Sequence, residues 1–475
     1  LKIAIFNSHN LWPPHWETQL EIMEEHLEKE CQVDLISCDG ELAICDNNVG
    51  HQRWRCAACV LRREVGIGAL RAPINKFGIR DFDGEPIDTD AMLEGIESIE
   101  QLKALRFHEF DLGYAVASSV ITMTRNAKPE FEAHRPMVRK YVQSSARIYD
   151  AFLRYLNRQR PDRVYIFNGR FAHNRAVVRA CQAHGTAFTT HELGWRPNQY
   201  SLFHDRLVHD INKTVEEVNL FWEEAGDARE TIGAKWYQDR RSGDTNSHLN
   251  FIEKMNNGLI PEGLSEDKRL ITAFTSSDDE FVSITPDWEE GLMPDQGKAI
   301  PQILKMLDPE QDILAVRIHP NTSDSSWKRL QEALKDLPGM ILIAPDAQFD
   351  SYTLLEASKM VISFGSTIGI EACFHGKPVI LLKNCVYANL DVAYVPADQT
   401  ALAGLLSNRS LPAKDREGAL KYGYYFKSRG DDFRFFKSRN FIFGKFKGRN
   451  LLGHNLFHLF RPSVRRAWWR AIRAG

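Results

Sequence analysis

A chain of 475 residues, 43% apolar and 26% charged, exceeds the size at which one hydrophobic core keeps growing, so two domains of roughly 200 residues each are expected. The composition is that of a globular protein and excludes a chain disordered along most of its length. The net charge of −3 conceals an asymmetry: residues 421–475 carry 14 Lys and Arg against two Asp, whereas residues 1–420 carry 46 against 61 Asp and Glu.

No apolar stretch approaches the roughly 20 residues that span a bilayer, and the chain opens on the strand-like LKIAIFNSH rather than on a basic and then apolar leader. The expectation is a cytoplasmic protein. Short runs rich in Val and Ile predict strands at 2–7, 32–37, 163–168, 186–190, 270–275, 313–318, 340–344, 360–364 and 378–382. Between most of them lie stretches of helical periodicity, such as 132–159 and 298–307. That alternation is the signature of parallel sheets covered by helices, so the expected fold class is α/β with two doubly wound, Rossmann-like domains facing a cleft. The strand series breaks between about 215 and 268, which puts the boundary near 265: an N-terminal domain over 1–264, a C-terminal domain over 265–420, and a basic aromatic tail over 421–475.

Ligands of such sheets bind at the carboxyl ends of the strands. Those ends deliver Asn7 and His9, Cys38 and Asp39, Asn168 and Arg170, His191 and Glu192, Ser276 through Asp279, Arg317 and His319, and Ser366 and Thr367. Loops are polar in any protein, so each cluster alone is weak, but seven on one face are a better signal. In SFGSTIGIEACFHGKPVILL (363–382), Ser366 and Thr367 open a helix. Capping is their ordinary role, yet the same helix start is a ready site for a phosphate. Gly365 allows close backbone approach, and Glu371, one turn in, either accepts from a ribose diol or simply balances the helix dipole. Arg317 and His319 leave their strand on one side and suit a phosphate or carboxylate, the plainer alternative being an Arg paired to a structural Asp beside a capping His.

Residues 38–59, CDGELAICDNNVGHQRWRCAAC, gather Cys38, Cys45, Cys56 and Cys59. The last two have the spacing of a metal knuckle, so structural zinc is expected, with an iron-sulfur cluster or reduced thiols as alternatives. The remaining cysteines read as core. FTSSDDEF (274–281) is a divalent-ion site or, more simply, a helix start, and LWPPHW (11–16) is a stacking platform for an acceptor or a helix entry. The tail interleaves rings and cations, with FKSR at 426 and 436 and FKGR at 446. That pattern suits an anionic membrane surface or, less, single-stranded nucleic acid; the plain reading is an arm folded back over the acidic body.

RIHPN (317–321), followed about 45 residues later by FGSTIGIEACFHGKPVILL, resembles the nucleotide-sugar-binding half of bacterial capsule and surface polysaccharide glycosyltransferases of the GT-B fold, including the Kdo-transferase-like group. IFNGRFAHNRAVVRACQAHGTAFTTHELGW (166–195) is similar to the N-terminal half of that group. The resemblance implies donor phosphates held by His319, Ser366 and Thr367, donor ribose held by Glu371, and an acidic residue acting at the acceptor hydroxyl, for which Glu192 is the match. Gly365, Ser276, Asn168 and Arg170 join the expected donor-binding set, and Arg317 the catalytic one. The implied activity moves a sugar from a nucleotide-sugar donor, a CMP-linked acidic sugar such as Kdo first and a UDP- or GDP-sugar next, onto a surface polysaccharide or glycolipid at the inner membrane face. A nucleotide-sugar epimerase or hydrolase of the same fold, or a scaffold that binds membrane or nucleic acid, remains as an alternative.

Overall fold

The computed structural model describes residues 1–451 apart from 197, 244–258, 260, 262, 265–266, 336 and 440–443. Its strands are, in chain order, β1 (Lys2–Asn7), β2 (Gln32–Ser37), β3 (Asn75–Gly78), β4 (Arg163–Phe167), β5 (Phe188–Leu193), β6 (Gln199–His204) and β7 (Arg269–Phe274). They continue with β8 (Asp312–Arg317), β9 (Met340–Ile343), β10 (Met360–Ser363), β11 (Val379–Leu381), β12 (Asp431–Asp432), β13 (Phe436–Ser438) and β14 (Gly444–Phe446).

The chain divides into two units, the first of residues 1–120, 130–208 and 430–475, the second of 121–129 and 209–429. In the first unit the sheet runs β12-β6-β5-β4-β1-β2-β3, parallel from β3 to β5 and antiparallel at β6 and β12. In the second it runs β11-β10-β7-β8-β9, parallel throughout. Each sheet starts at its centre, steps outward twice and returns to the other side of its first strand, the doubly wound order with a switch point between β1 and β4 or between β7 and β10. The central strands are buried on both faces, which is why they read as unbroken Val, Ile and Ala runs. Ile271, Val316, Ile362 and Ile380 sit in the core of the second unit, and Ile3, Ile5, Leu35 and Trp16 in that of the first.

Two placements differ from the sequence expectation. Helices Ile211–Glu223 and Arg229–Ser242 belong to the second unit, so the unit changes at 208 to 209, whereas the expected boundary near 265 lies at residues outside the described ones. These helices pack on Glu417–Ser428; an added Cβ at Gly423 would sit 2.3 Å from the Gly233 carbonyl oxygen, so only glycine allows the approach. Residues 421–451, expected as a tail separate from both domains, are instead built into them. The period-2 pattern of the stretch sorts its rings inward and its cations outward: Phe436, Phe446 and Leu451 are buried in the core of the first unit, and β12 extends its sheet. No described helix is long and apolar enough to cross a membrane.

Candidate functional site

In the second unit the exits of β10, β7 and β8 lie side by side, and neighbouring strands are about 5 Å apart, so groups leaving β8 and β10 are separated by roughly 10 Å. Gly365 turns the chain at φ +90, a conformation that a side chain strains. Tyr387 pins this turn, its hydroxyl donating to the Ser366 carbonyl at 2.6 Å and lying 2.9 Å from Ser363 Oγ. Ser366 and Thr367 are half-buried. Helix Ile368–Phe374 follows, without a side-chain cap from Thr367. Ser276, at the exit of β7, is buried; its backbone amide donates to Gln296 Oε1 at 2.8 Å and its Oγ has no hydrogen-bond partner among the described residues.

His319 is held from two sides. Its amide donates to Thr275 Oγ1 at 2.8 Å, and its Nδ1 accepts from the Asn321 amide at 3.1 Å, which leaves Nε2 as the nitrogen that carries the proton. Burial, followed by the charges of Arg317 and Arg125, lowers its pKa to about 4, so the ring is a neutral hydrogen-bond donor. Arg317 does not join it. The guanidinium is buried and donates to the carbonyls of Ala344 and, at 3.1 Å, Ala347, and burial lowers its pKa to about 10. Although Arg317 and His319 leave one strand two residues apart, the arginine braces the loop after β9.

Glu371 is also engaged. It is 2% exposed, accepts from Arg240 Nε at 3.0 Å through Oε1, and accepts from the Tyr352 hydroxyl through Oε2. Arg240 Nη2 reaches Thr367 Oγ1 at 3.2 Å. This arginine was not singled out by the sequence, because nothing in RETIGAKWYQDRRS ties it to a segment 130 residues away. The acids after β7 are likewise neutralised from inside the unit: Arg125 Nε lies 2.9 Å from Asp279 Oδ2 and Lys383 Nζ 3.3 Å from Asp278 Oδ1.

In the first unit the exits of β4 and β5 bring Asn168, Arg170 and Glu192 together. Asn168 adopts a left-handed φ of 56, and its Nδ2 donates to Glu192 Oε2 at 2.7 Å. The Glu192 side chain is 24% exposed, and His15 Nε2 lies 3.7 Å from its Oε1. Burial raises its pKa against the hydrogen bonds from Asn168 and the Leu193 amide and the charge of Arg170, which makes it a stronger base than an ordinary carboxylate. The amide of Arg170 donates to Asn168 Oδ1 at 3.2 Å, and its guanidinium lies 4.8 Å from the Phe171 ring centre. Trp12, read as a stacking platform, packs among Phe167, Phe171, His9 and His15.

The expected metal knuckle is not formed: among the described residues no group of three or more His, Cys, Asp or Glu could hold a metal ion. The thiols instead take separate partners. Cys38 Sγ accepts from the Gly40 amide at 3.3 Å, Cys56 Sγ from Asn48 Nδ2 at 3.3 Å, and Cys59 Sγ from the Asn10 amide at 3.1 Å. Burial pushes the Cys45 thiol well above its usual pKa. What the segment delivers is Asp46, which accepts from the Tyr141 hydroxyl at 2.8 Å. Its charge opposes the burial that lowers His9, and the burial that lowers His173 to about 4. Asp46, Tyr141 and His173 come from three segments far apart in the chain, so local spacing does not reveal that they meet.

Residues 293–404 match the family model of capsule polysaccharide biosynthesis proteins. No match was found among curated proteins. Among solved structures, the chain is similar to the Thermosulfurimonas dismutans KpsC beta Kdo 2,4 transferase, at 14% identity over 56% of this chain and 79% of that one, with a TM-score of 0.38. It is similar to Neisseria meningitidis UDP-GlcNAc 2-epimerase bound to UDP-GlcNAc, at 10% identity over 89% and 97% of the two chains and a TM-score of 0.30. A third is Acinetobacter baumannii MurG, at 14% identity over 88% and 94% and a TM-score of 0.29. Over residues 293–404 the chain thus resembles the capsule polysaccharide biosynthesis proteins, and each of its two sheets has the doubly wound, Rossmann-like strand order.

Proposed function

We propose that the protein transfers a sugar from a nucleotide-sugar donor to a capsule or surface polysaccharide acceptor, the second unit holding the donor and the first acting on the acceptor. The observation that carries this is His319, a neutral imidazole with Nδ1 occupied, at a strand exit beside the switch point that opens on Ser276, Ser366 and Thr367. A protonated Nε2, backbone amides of the Gly365–Thr367 turn and the hydroxyls of Ser276 and Ser366 are donors for phosphate oxygens, and they stabilise a departing phosphate as negative charge grows on it. Arg240, next to Thr367, adds a cation to that turn. Glu371 serves here by fixing Arg240 rather than by holding ribose, since its carboxylate is buried against Arg240 and Tyr352.

On the acceptor, Glu192 takes the hydroxyl proton. Its raised pKa suits a general base, and Asn168 and the Leu193 amide fix the direction of its two oxygens. The resemblance to Kdo-transferase-like proteins favours a CMP-linked acidic sugar as donor. For membrane attachment, the sequence of residues 452–475, with five Arg, no acidic residue and Trp468–Trp469, supports association with an anionic surface at the cytoplasmic face.

A thermal-shift series with CMP, UDP, GDP and their sugars tests the donor assignment, because a ligand that binds only the folded state raises its melting temperature. One nucleotide class should stabilise the wild-type chain and stabilise His319→Ala markedly less at the same concentration. A chain shifted by none of them has no donor site.

A further inference from the structure

The outer face of the β13–β14 hairpin carries cations whose role the fold does not explain. Its register sets Phe436 against Phe446 and Lys437 against Lys445. The aromatic pair is buried, at 1% and 0% exposure, so the alternating residues Lys437 and Lys445 stand on the opposite face, with Arg439 and Lys447 continuing it. Two like charges directly across a ladder are destabilising, and neither lysine has a carboxylate partner among the described residues. Arg439 has none either, while Arg434 and Lys447 pair with Glu28 at 2.8 Å and Glu24 at 2.6 Å. These side chains line a concavity of about 610 Å³, a size within the usual range of ligand sites.

We propose that this face binds an acidic polysaccharide, with Lys437, Lys445 and Arg439 pairing with carboxylates of successive sugars. The occupant rests on the glycosyltransferase reading: it is the anionic glycan that such an enzyme extends. A membrane is the poorer fit at this position. The rings that would sit among lipid headgroups, Phe436 and Phe446, are turned into the core, and a concave, purely cationic face matches spaced charges on a chain better than a flat headgroup plane.

Titration calorimetry of the full chain with a linear oligogalacturonate tests this, with a neutral maltooligosaccharide and phosphatidylglycerol vesicles as the other arms. Oligogalacturonate should bind, more weakly as salt rises, and the Lys437→Glu/Lys445→Glu double variant should lose tenfold or more in affinity with an unchanged melting temperature. Lys437→Arg/Lys445→Arg should bind as the wild type does. Absence of oligogalacturonate binding, equal binding by the double Glu variant, or a double variant that loses only vesicle binding would overturn the proposal. The nucleotide thermal shift is read on the same samples: a chain stabilised by nucleotide but indifferent to oligogalacturonate sinks the glycan site alone, whereas loss of the nucleotide response sinks the transferase reading beneath it.

Discussion

Arg240 donates through Nε to Glu371 Oε1 at 3.0 Å, joining the helix Arg229–Ser242 to the short helix that follows the Gly365 turn. The same guanidinium reaches Thr367, so the geometry of the turn depends on this pair. Glu371→Ala would leave a mostly buried guanidinium without its counter-charge, and the expected cost is about 3 kcal/mol of unfolding free energy. Urea denaturation measures it. Glu371→Gln, which keeps an acceptor for the Tyr352 hydroxyl, should be milder, and both variants should weaken nucleotide binding.

His319→Ala should lower donor affinity by roughly 10- to 100-fold, the loss of one hydrogen bond to a charged phosphate, with circular dichroism unchanged. Calorimetry with the nucleotide that stabilises the wild type gives the value. Because the ring titrates at about 4 in the folded protein, donor affinity should show no imidazole step between pH 5.5 and 8. A lowered folded-state pKa makes the neutral ring the favoured form, so its contribution to stability is full above the unfolded value near 6.5 and is lost as pH falls toward 4.

Glu192→Gln should reduce turnover by about 10²- to 10⁴-fold, the range for loss of a general base, while leaving the nucleotide thermal shift intact. In the wild type the rising limb of the rate against pH should lie above the ordinary carboxylate range, because the base must lose its proton and burial raises the pKa at which it does so. A flat profile from pH 4 to 8 in the wild type would remove Glu192 from that role.

Phe436→Ala should cost about 3–5 kcal/mol, as a fully buried ring does, and Phe446→Ala about the same. An arm lying loosely on the surface would tolerate both changes with little effect. Scanning calorimetry of the two variants separates the cases.

Incubation with a strong chelator should leave the melting temperature unchanged, since among the described residues no group of three or more His, Cys, Asp or Glu could hold a metal ion. A drop of several degrees on chelation would mean that the chain folds around a metal after all.

How far the sequence reads into this structure depends on how local the signal is. All nine strands expected from Val- and Ile-rich runs are present, because central parallel strands are buried on both faces and need continuous apolar sequence. β3 (NKFG) and β6 (QYSLFH) were missed: both lie away from the sheet centre and carry mixed polar sequence. The strand-exit residues were legible as a set, since each follows its strand directly. Their partners were not. Arg240 reaches Glu371 from 131 positions away, and Arg317, two residues from His319, braces a loop instead of sharing its target. Spacing along a strand tells which side a group leaves from, but only packing tells where a long side chain ends.

The pairing of β12 with β6, and the burial of Phe436 and Phe446 beneath the first sheet, also order events in time. Synthesis makes residues 1–208 first, yet their sheet edge and part of their core are supplied by residues 430–451, after the ribosome has translated the whole stretch between. At about 5–20 residues per second that interval lasts roughly 10–45 s. Nearly all of the second unit emerges within it as one uninterrupted segment. The later-made half of the polypeptide is therefore free to mature first, and the earlier-made half is finished last, when the returning strand zips onto its waiting edge.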